Sequence, residues 1–184
     1  GFTSNRRGDA MTSGVLPAQA LRQLIANGAL AASPAIRDDQ IQPASLDLRL
    51  GPVAYRVRAS FLAGHGRSVQ DRLEEFTMHK VNLAEGAVLE KNCVYVIPLA
   101  EALALPAGVT AVANAKSSSG RLDLLTRTIT DGGTEFDRIP EGYTGPLYAE
   151  VCPRSFSVLV RAGQRLNQIR FRQGQAVLSD AELT

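Results

Sequence analysis

Residues 115–122 read A-K-S-S-S-G-R-L, three hydroxyls in a row with a glycine and two cations, set between apolar β-like runs at 109–113 and 124–129. A hydrophobic core has no use for such a stretch, and an anion does. Ser117, Ser118 and Ser119 can each donate an O–H bond, and backbone N–H groups around Gly120 can converge on the same point. Arg121 carries a planar fork that fits phosphate oxygens, and Lys116 adds a mobile point charge. The plain alternative is a solvated polar turn. A second polar patch, I-Q-P-A-S-L-D-L-R-L-G at 41–51, sets Ser45, Asp47 and Arg49 against Leu46, Leu48 and Leu50, which by periodicity reads as a strand with one face in solvent. A third, F-D-R-I-P-E-G-Y-T-G-P-L-Y-A-E-V at 136–151, brackets Tyr143 with Gly142 and Gly145 and ends on Glu150 in an otherwise apolar run. A carboxylate there is either held for proton transfer or paired with a cation, such as Arg154 or Arg170.

The elements that must carry these patches are mostly short strands. Beyond those already named, residues 53–57, 94–98, 147–152, 157–160 and 168–171 are apolar or alternating, and Gly, Pro and Asp/Asn separate them. Many short strands with turn signals between them point to a sandwich or barrel. One helix is clear, at 17–27, with Ser13 as its expected N-cap, Leu21, Leu24 and Ile25 on one face and Gly28 as its stop. Residues 74–79 fit either the end of a helix begun at Val69 or the approach to a strand at Val81. Residues 64–68 read as a mobile loop.

Composition narrows the function classes. The 184 residues suit one domain, and a net charge of +2 is too small for a general nucleic-acid surface. Any anion site must therefore come from local clustering. Cys93 and Cys152 sit in strand-like apolar runs, as buried free thiols of a reducing cytosol do, with Cys152 reading as core packing. His65 and His79 are the two histidines and there is no C-x-x-C, so a zinc site of the usual N/S type is not expected. Both histidines read as exposed loop or strand residues. Arg161, Arg165, Arg170 and Arg172 read as a solvated strand face. No apolar run is long enough for a bilayer and no signal peptide is visible, so a cytoplasmic protein is expected. Residues 1–12 read as a disordered leader or tag, 13–173 as the β domain, and 174–184 as a tail or a linker to a second domain.

The three patches, with A-G-Q-R-L-N-Q-I-R-F at 162–171, resemble in order the four motifs of the dUTPase/dCTP deaminase superfamily, and of its deaminase branch in particular. The resemblance runs from about Leu16 to Phe171. It is closest to the amino-terminal domain of a long bacterial form with two such domains in one chain. It implies a mainly β fold, a distorted β-barrel or jelly roll of the dUTPase-like type with one or two short helices. It also implies a threefold or trimeric assembly, active sites between subunits, and hydrolytic deamination of dCTP to dUTP and ammonia. No zinc is implied, and Mg²⁺ would be held mainly by the triphosphate.

By the same resemblance Glu150, Ser117 and Arg121 are catalytic. Glu150 moves the proton of the attacking water, Ser117 helps hold that water, and Arg121 contacts phosphate or supports the transition state. Lys116, Ser118, Ser119 and Gly120 surround the phosphates. Backbone groups near Thr130 and Asp131 read the cytosine edge, Tyr143 packs by the deoxyribose, and Gln42 and Asp47 stabilise the site from a neighbouring strand. The implied partners are dCTP and dUTP, with dTTP as an inhibitor in some relatives, and neither nucleic acid nor membrane. Pro140 stands where both branches commonly place an aspartate three residues before the aromatic, which argues against dUTP diphosphohydrolase activity; Asp137 is offset from that position. The family's glycine-rich carboxy-terminal lid is not seen. A non-catalytic nucleotide-binding or assembly domain of the same fold is the alternative, and a bare sugar- or nucleic-acid-binding barrel would leave the aligned motifs as coincidence.

Overall fold

The computed structural model describes residues 14–116 and 124–174. Helix α1 (Ala18–Ala26) buries Leu21 and Leu24 against the core. Its N-cap is Pro17, which offers no side-chain bond, and not Ser13, which lies outside the described residues. Helix α2 (Val69–Phe76) resolves the ambiguity at 74–79, since it runs directly into a strand at Thr77. Its start is well specified. The Ser68 hydroxyl accepts the Asp71 N–H at 3.0 Å, and the Asp71 carboxylate accepts the Ser68 N–H at 3.5 Å.

Among the described residues twelve strands follow in chain order: β1 (Leu30–Ala32), β2 (Leu46–Leu48), β3 (Val53–Val57), β4 (Thr77–Asn82), β5 (Ala87–Leu89), β6 (Val94–Ala104), β7 (Val109–Ala115), β8 (Leu124–Thr130), β9 (Arg138–Ile139), β10 (Thr144–Pro153), β11 (Val158–Val160) and β12 (Asn167–Gln173). A six-stranded sheet runs β4-β3-β6-β10-β8, with β1 on the far part of β6; a four-stranded sheet runs β2-β12-β7-β9; β11 and β5 form a ribbon. All pairings are antiparallel. The expected mainly β class with one or two short helices is what the chain adopts, with two short α-helices among the described residues. The ladders do not close into one barrel among the described residues.

The main core lies between the two larger sheets. Leu46, Leu48, Ala111, Ala113, Ile169 and Phe171 meet Tyr95, Ile97, Leu147, Ala149 and Val151 there. The opposite face of the six-stranded sheet carries a second core, where Val96, Ile129 and Tyr148 are covered by α2 and by Phe61 and Ala63. β10 is thus buried on both faces, and that explains its near-continuous apolar sequence.

The expectation of a solvent face on residues 44–50 does not hold. Ser45, Asp47 and Arg49 are all buried, at 5%, 1% and 5% exposure. Arg49 and Asp47 find partners that periodicity cannot see. Arg49 Nε donates to Glu101 Oε2 of β6 at 2.8 Å, the Arg49 N–H donates to Glu101 Oε1 at 2.9 Å, and Gln40 Nε2 donates to Glu101 Oε2 at 3.0 Å. This network joins β2 to the six-stranded sheet. Replacing Glu101 alone by Leu strands a buried guanidinium and is expected to cost about 3–5 kcal/mol, measured by urea unfolding, whereas the double change Arg49→Met with Glu101→Leu recovers most of that loss.

Candidate active site

Glu150 lies midway along β10, opposite Arg127 of β8 and Val96 of β6. Strand alternation sends Leu147, Ala149 and Val151 into the main core and turns Tyr148 and Glu150 to the other face. The side chain is 2% exposed, so its charge needs a partner. That partner is neither Arg154 nor Arg170; Arg170 instead donates to Asn114 Oδ1 at 3.1 Å. Arg127 donates to Glu150 Oε1 twice, from Nε at 3.1 Å and Nη2 at 2.6 Å. The Ser60 hydroxyl donates to Oε2, and Arg127 Nη2 donates to Ser60 Oγ at 3.2 Å, which closes a triangle. The guanidinium lies 3.7 Å from the centroid of the Phe136 ring, fixing its plane.

Asp137 stands beside this triangle. Its φ of 66° is in the left-handed region, uncommon for a residue with a side chain. Its Oδ1 accepts the Thr128 N–H at 2.8 Å, its N–H donates to Thr128 O at 2.9 Å, and its carbonyl accepts the Ala113 N–H at 2.8 Å. Burial pushes its carboxyl above the ordinary range; the Thr128 N–H and Arg127 oppose this, and Glu150 adds to it.

The other expected site residues fall into two groups. Asp47 lies in the four-stranded sheet and pairs with Lys116, Nζ to Oδ2 at 2.6 Å, with Arg165 Nη1 at 3.6 Å from the same oxygen. The first motif is thereby tied to the root of the serine-rich segment. Gln42 is half-buried and donates to Asp39 O at 3.3 Å. Arg165, expected on a solvated face, also binds Asp39 Oδ1 at 2.7 Å. Ser117, Ser118, Ser119, Gly120 and Arg121 lie outside the described residues.

Thr130, Asp131 and Tyr143 come together at the far end of β8. Asp131 Oδ1 accepts the Val69 N–H at 2.8 Å and so caps α2, while its own N–H donates to the Tyr143 oxygen at 3.0 Å. The Tyr143 hydroxyl donates to Pro146 O at 2.7 Å, and burial drives its pKa up to about 12. Gly145 lies against that hydroxyl at φ 154°, where a Cβ would come within 2.8 Å of it. Thr130 Oγ1 is buried and has no hydrogen-bond partner among the described residues. Gly132 N–H donates to Arg67 O and Gly64 N–H donates to Gly133 O, so part of this backbone is already engaged. Behind the loop lies a cleft of about 440 Å³ whose lining includes His65, Val112, Gly133, Arg138 and Pro140. His65 and His79 are both exposed, and among the described residues no group of three or more His, Cys, Asp and Glu side chains is placed to hold a metal ion.

Arg127 and Ser60 are what sequence reasoning missed. In L-L-T-R-T-I-T the arginine looks like one more outward residue of an alternating strand. The signal is relational: pairing residues 124–130 antiparallel with 147–153 puts Arg127 opposite Glu150. Ser60 sits in an irregular segment and carries no local signal.

Fold and site together define an antiparallel β protein that buries an ion-paired glutamate beneath a small helical cover. A solved 2'-deoxycytidine 5'-triphosphate deaminase from Agrobacterium tumefaciens is 55% identical, with a TM-score of 0.85 over 92% of this chain and 53% of that one. The chain therefore spans about half the length of that relative. More distant likenesses are the dUTPase of EIAV (21% identity, TM-score 0.39, 50% of this chain and 70% of that one) and the dUTPase of Staphylococcus bacteriophage 80alpha (18%, 0.38, 48% and 64%). Residues 12–175 match the model of the 2'-deoxycytidine 5'-triphosphate deaminase N-terminal domain, and the chain belongs to that family. Among the described residues no helix is long and apolar enough to cross a membrane.

The raised carboxyl of Asp137 gives a signed expectation. A carboxyl that binds its proton more readily folded than unfolded works against the fold once ionised, so its cost is full above the folded pKa and fades as pH falls through that value. Asp137→Asn keeps the acceptor for Thr128 and tolerates positive φ. It is expected to raise the urea midpoint at pH 7, with the gain shrinking toward zero as pH approaches the ordinary value of 3.8. A gain that persists unchanged into acid would count against a titration origin.

Proposed function

We propose that this domain deaminates dCTP, as its magnesium complex, to dUTP and ammonia, without zinc, in a threefold assembly of the cytoplasm. The observation that carries the reading is Glu150: a carboxylate in an apolar strand, 2% exposed, oriented by Arg127 and Ser60, at the position where the family resemblance puts the proton-transferring glutamate. In the proposed step Glu150 takes a proton from water as the water oxygen bonds to C4 of cytosine. That proton passes to ring N3. A second proton, from the new hydroxyl, goes by way of Glu150 to the exocyclic amine, the C4–N bond breaks, ammonia leaves, and the C4 carbonyl remains. Ser117 would hold the water. Arg121, Ser118, Ser119 and Gly120 would take the triphosphate, with Lys116 anchored to Asp47 at the root of the same segment. Magnesium belongs to the substrate, bound by phosphate oxygens and water. Thr130 and Asp131 would present backbone groups to the base, with Tyr143 supporting them near the sugar, and Gln42 and Asp47 would brace the site from β2.

One observation favours a second reading, a non-catalytic binding or assembly domain. Both oxygens of Glu150 are already bonded, as they are in a purely structural ion pair. Diphosphohydrolase chemistry is disfavoured by Pro140. The readings separate in one assay of ammonia release from Mg-dCTP with chromatography of the nucleotides. A deaminase yields dUTP, a diphosphohydrolase yields pyrophosphate, and a scaffold yields neither. Glu150→Gln is expected to lower turnover by at least about 100-fold while dCTP still binds. Full turnover in that variant would remove Glu150 from the chemistry.

A further inference from the structure

Arg127 directs two hydrogen bonds at the same oxygen of Glu150. Nε and Nη2 reach Oε1 at 3.1 and 2.6 Å, and neither is recorded at Oε2. A fork facing a free carboxylate usually takes one oxygen per N–H. Here the guanidinium is held on the Phe136 ring at 3.7 Å, and Ser60 stands between Nη2 and Oε2, accepting from the first at 3.2 Å and donating to the second. The two carboxylate oxygens are therefore inequivalent. Oε1 is locked by charge. Oε2 meets only a hydroxyl among the described residues, and that hydroxyl belongs to an exposed residue.

We propose that Arg127 is the positioning residue of the Glu150 site, locking Oε1 so that Oε2 alone handles protons, with Ser60 holding Oε2 in line until water arrives. The inference rests on the proposed deaminase reading, in which Glu150 moves protons. A hydroxyl is a fitting placeholder, because it donates to the carboxylate as water would and can swing aside at small cost. In this role Arg127 acts through Glu150.

The charged and titratable groups around Glu150 fix the pH consequence. Arg127 faces it from β8, Asp137 from the loop after β8, and Cys152 follows it on β10 with Arg154 beyond. Arg127 is the cation that Glu150 and Asp137 share. Without it, Asp137 loses the charge that opposes its raised carboxyl and holds its proton to higher pH.

The test is steady-state deamination of Mg-dCTP by the full chain across pH, for Arg127→Gln, Arg127→Lys, Ser60→Ala and Glu150→Gln. Arg127→Gln is expected to lose about 100-fold in kcat with KM within about threefold, because the base is misaimed and binding is not. The acid limb of its kcat profile moves to higher pH, and Arg127→Lys, which restores the charge without the fork, returns the limb but only part of the rate. Ser60→Ala is expected to lose about tenfold in kcat, the worth of one bond to a charged group, and it serves as the readout if the arginine variants do not fold. Wild-type rate and an unmoved acid limb in folded Arg127→Gln overturn the proposal. So does wild-type kcat in Ser60→Ala should the arginine variants fail to fold. Glu150→Gln tells the two failures apart. If it turns over normally, or if the wild-type chain does not turn over at all, the deaminase reading falls and takes this inference with it. If it is inactive while the Arg127 and Ser60 variants are unaffected, only this inference falls.

Discussion

A carboxylate in the middle of a strand buried on both faces is the constraint on which the site turns. β10 passes through the centre of the six-stranded sheet, with the main core on one side and the second core on the other. An unpaired charge there costs several kcal/mol even after the surroundings relax, a large share of a typical domain's stability. Glu150 is tolerable only with a cation directly across the ladder, and only β8 in its observed register supplies one. A slip of one residue would turn Arg127 into the main core and leave Glu150 bare. Register and site therefore stand or fall together.

The same logic recurs at the other buried charges. Glu101 of β6 is met by Arg49 and Gln40, and Asp47 of β2 by Lys116 and more distantly by Arg165. In each case the partners come from segments distant in sequence. Arg49 to Glu101 crosses from β2 to the larger sheet, Lys116 to Asp47 ties the end of β7 to β2, and Arg127 to Glu150 clamps β8 on β10. Such pairs contribute little net stability, since desolvation offsets most of the attraction. They penalise wrong pairings, because a misregistered strand leaves two charges stranded instead of one pair satisfied. Here the serine-rich segment runs from Lys116, already held, to Leu124, already paired, so both of its ends are set by the fold.

Strand existence was legible wherever apolar runs met Gly or Pro. Residues 53–57 form a strand over that range, and the runs at 94, 109, 124, 147 and 168 each seed a strand that extends further than the apolar residues alone indicate. Some extensions add polar residues such as Thr144 and Asn167, recruited by ladder hydrogen bonds that no local propensity encodes, while β6 runs on past Pro98 through Ala104. The short strands β1, β5 and β9 were missed because two or three residues are too few to show a period. The largest misreading was at Ser45, Asp47 and Arg49, where alternation suggested water and the structure buries all three, with salt-bridge partners for Asp47 and Arg49; a period of two reports two faces, not what covers each. Glu150 was legible because a lone carboxylate in an apolar run is conspicuous. Arg127 was not, because an arginine in an alternating strand is ordinary until the opposite strand is known.

That asymmetry says something about how the site is built. Conspicuous residues such as Glu150 and the serine-rich segment are the groups that the proposed function sets at the ligand. Inconspicuous ones such as Arg127, Ser60 and Phe136 decide how those groups are aimed, and they are drawn from positions with other jobs: a strand face, a connecting segment, a turn. Phe136 illustrates the economy. It packs partly against the second core and also presents its face to the Arg127 guanidinium, and the next residue, Asp137, takes the left-handed turn that bonds back to Thr128, the neighbour of that arginine. The loop after β8 is thereby fastened at both sides of the guanidinium, through a ring and through the backbone. A motif search that records only the residues meeting ligand recovers the carboxylate and loses its aim; the strand pairing recovers both, because opposite positions on two antiparallel strands are where one residue can hold another without any sequence proximity.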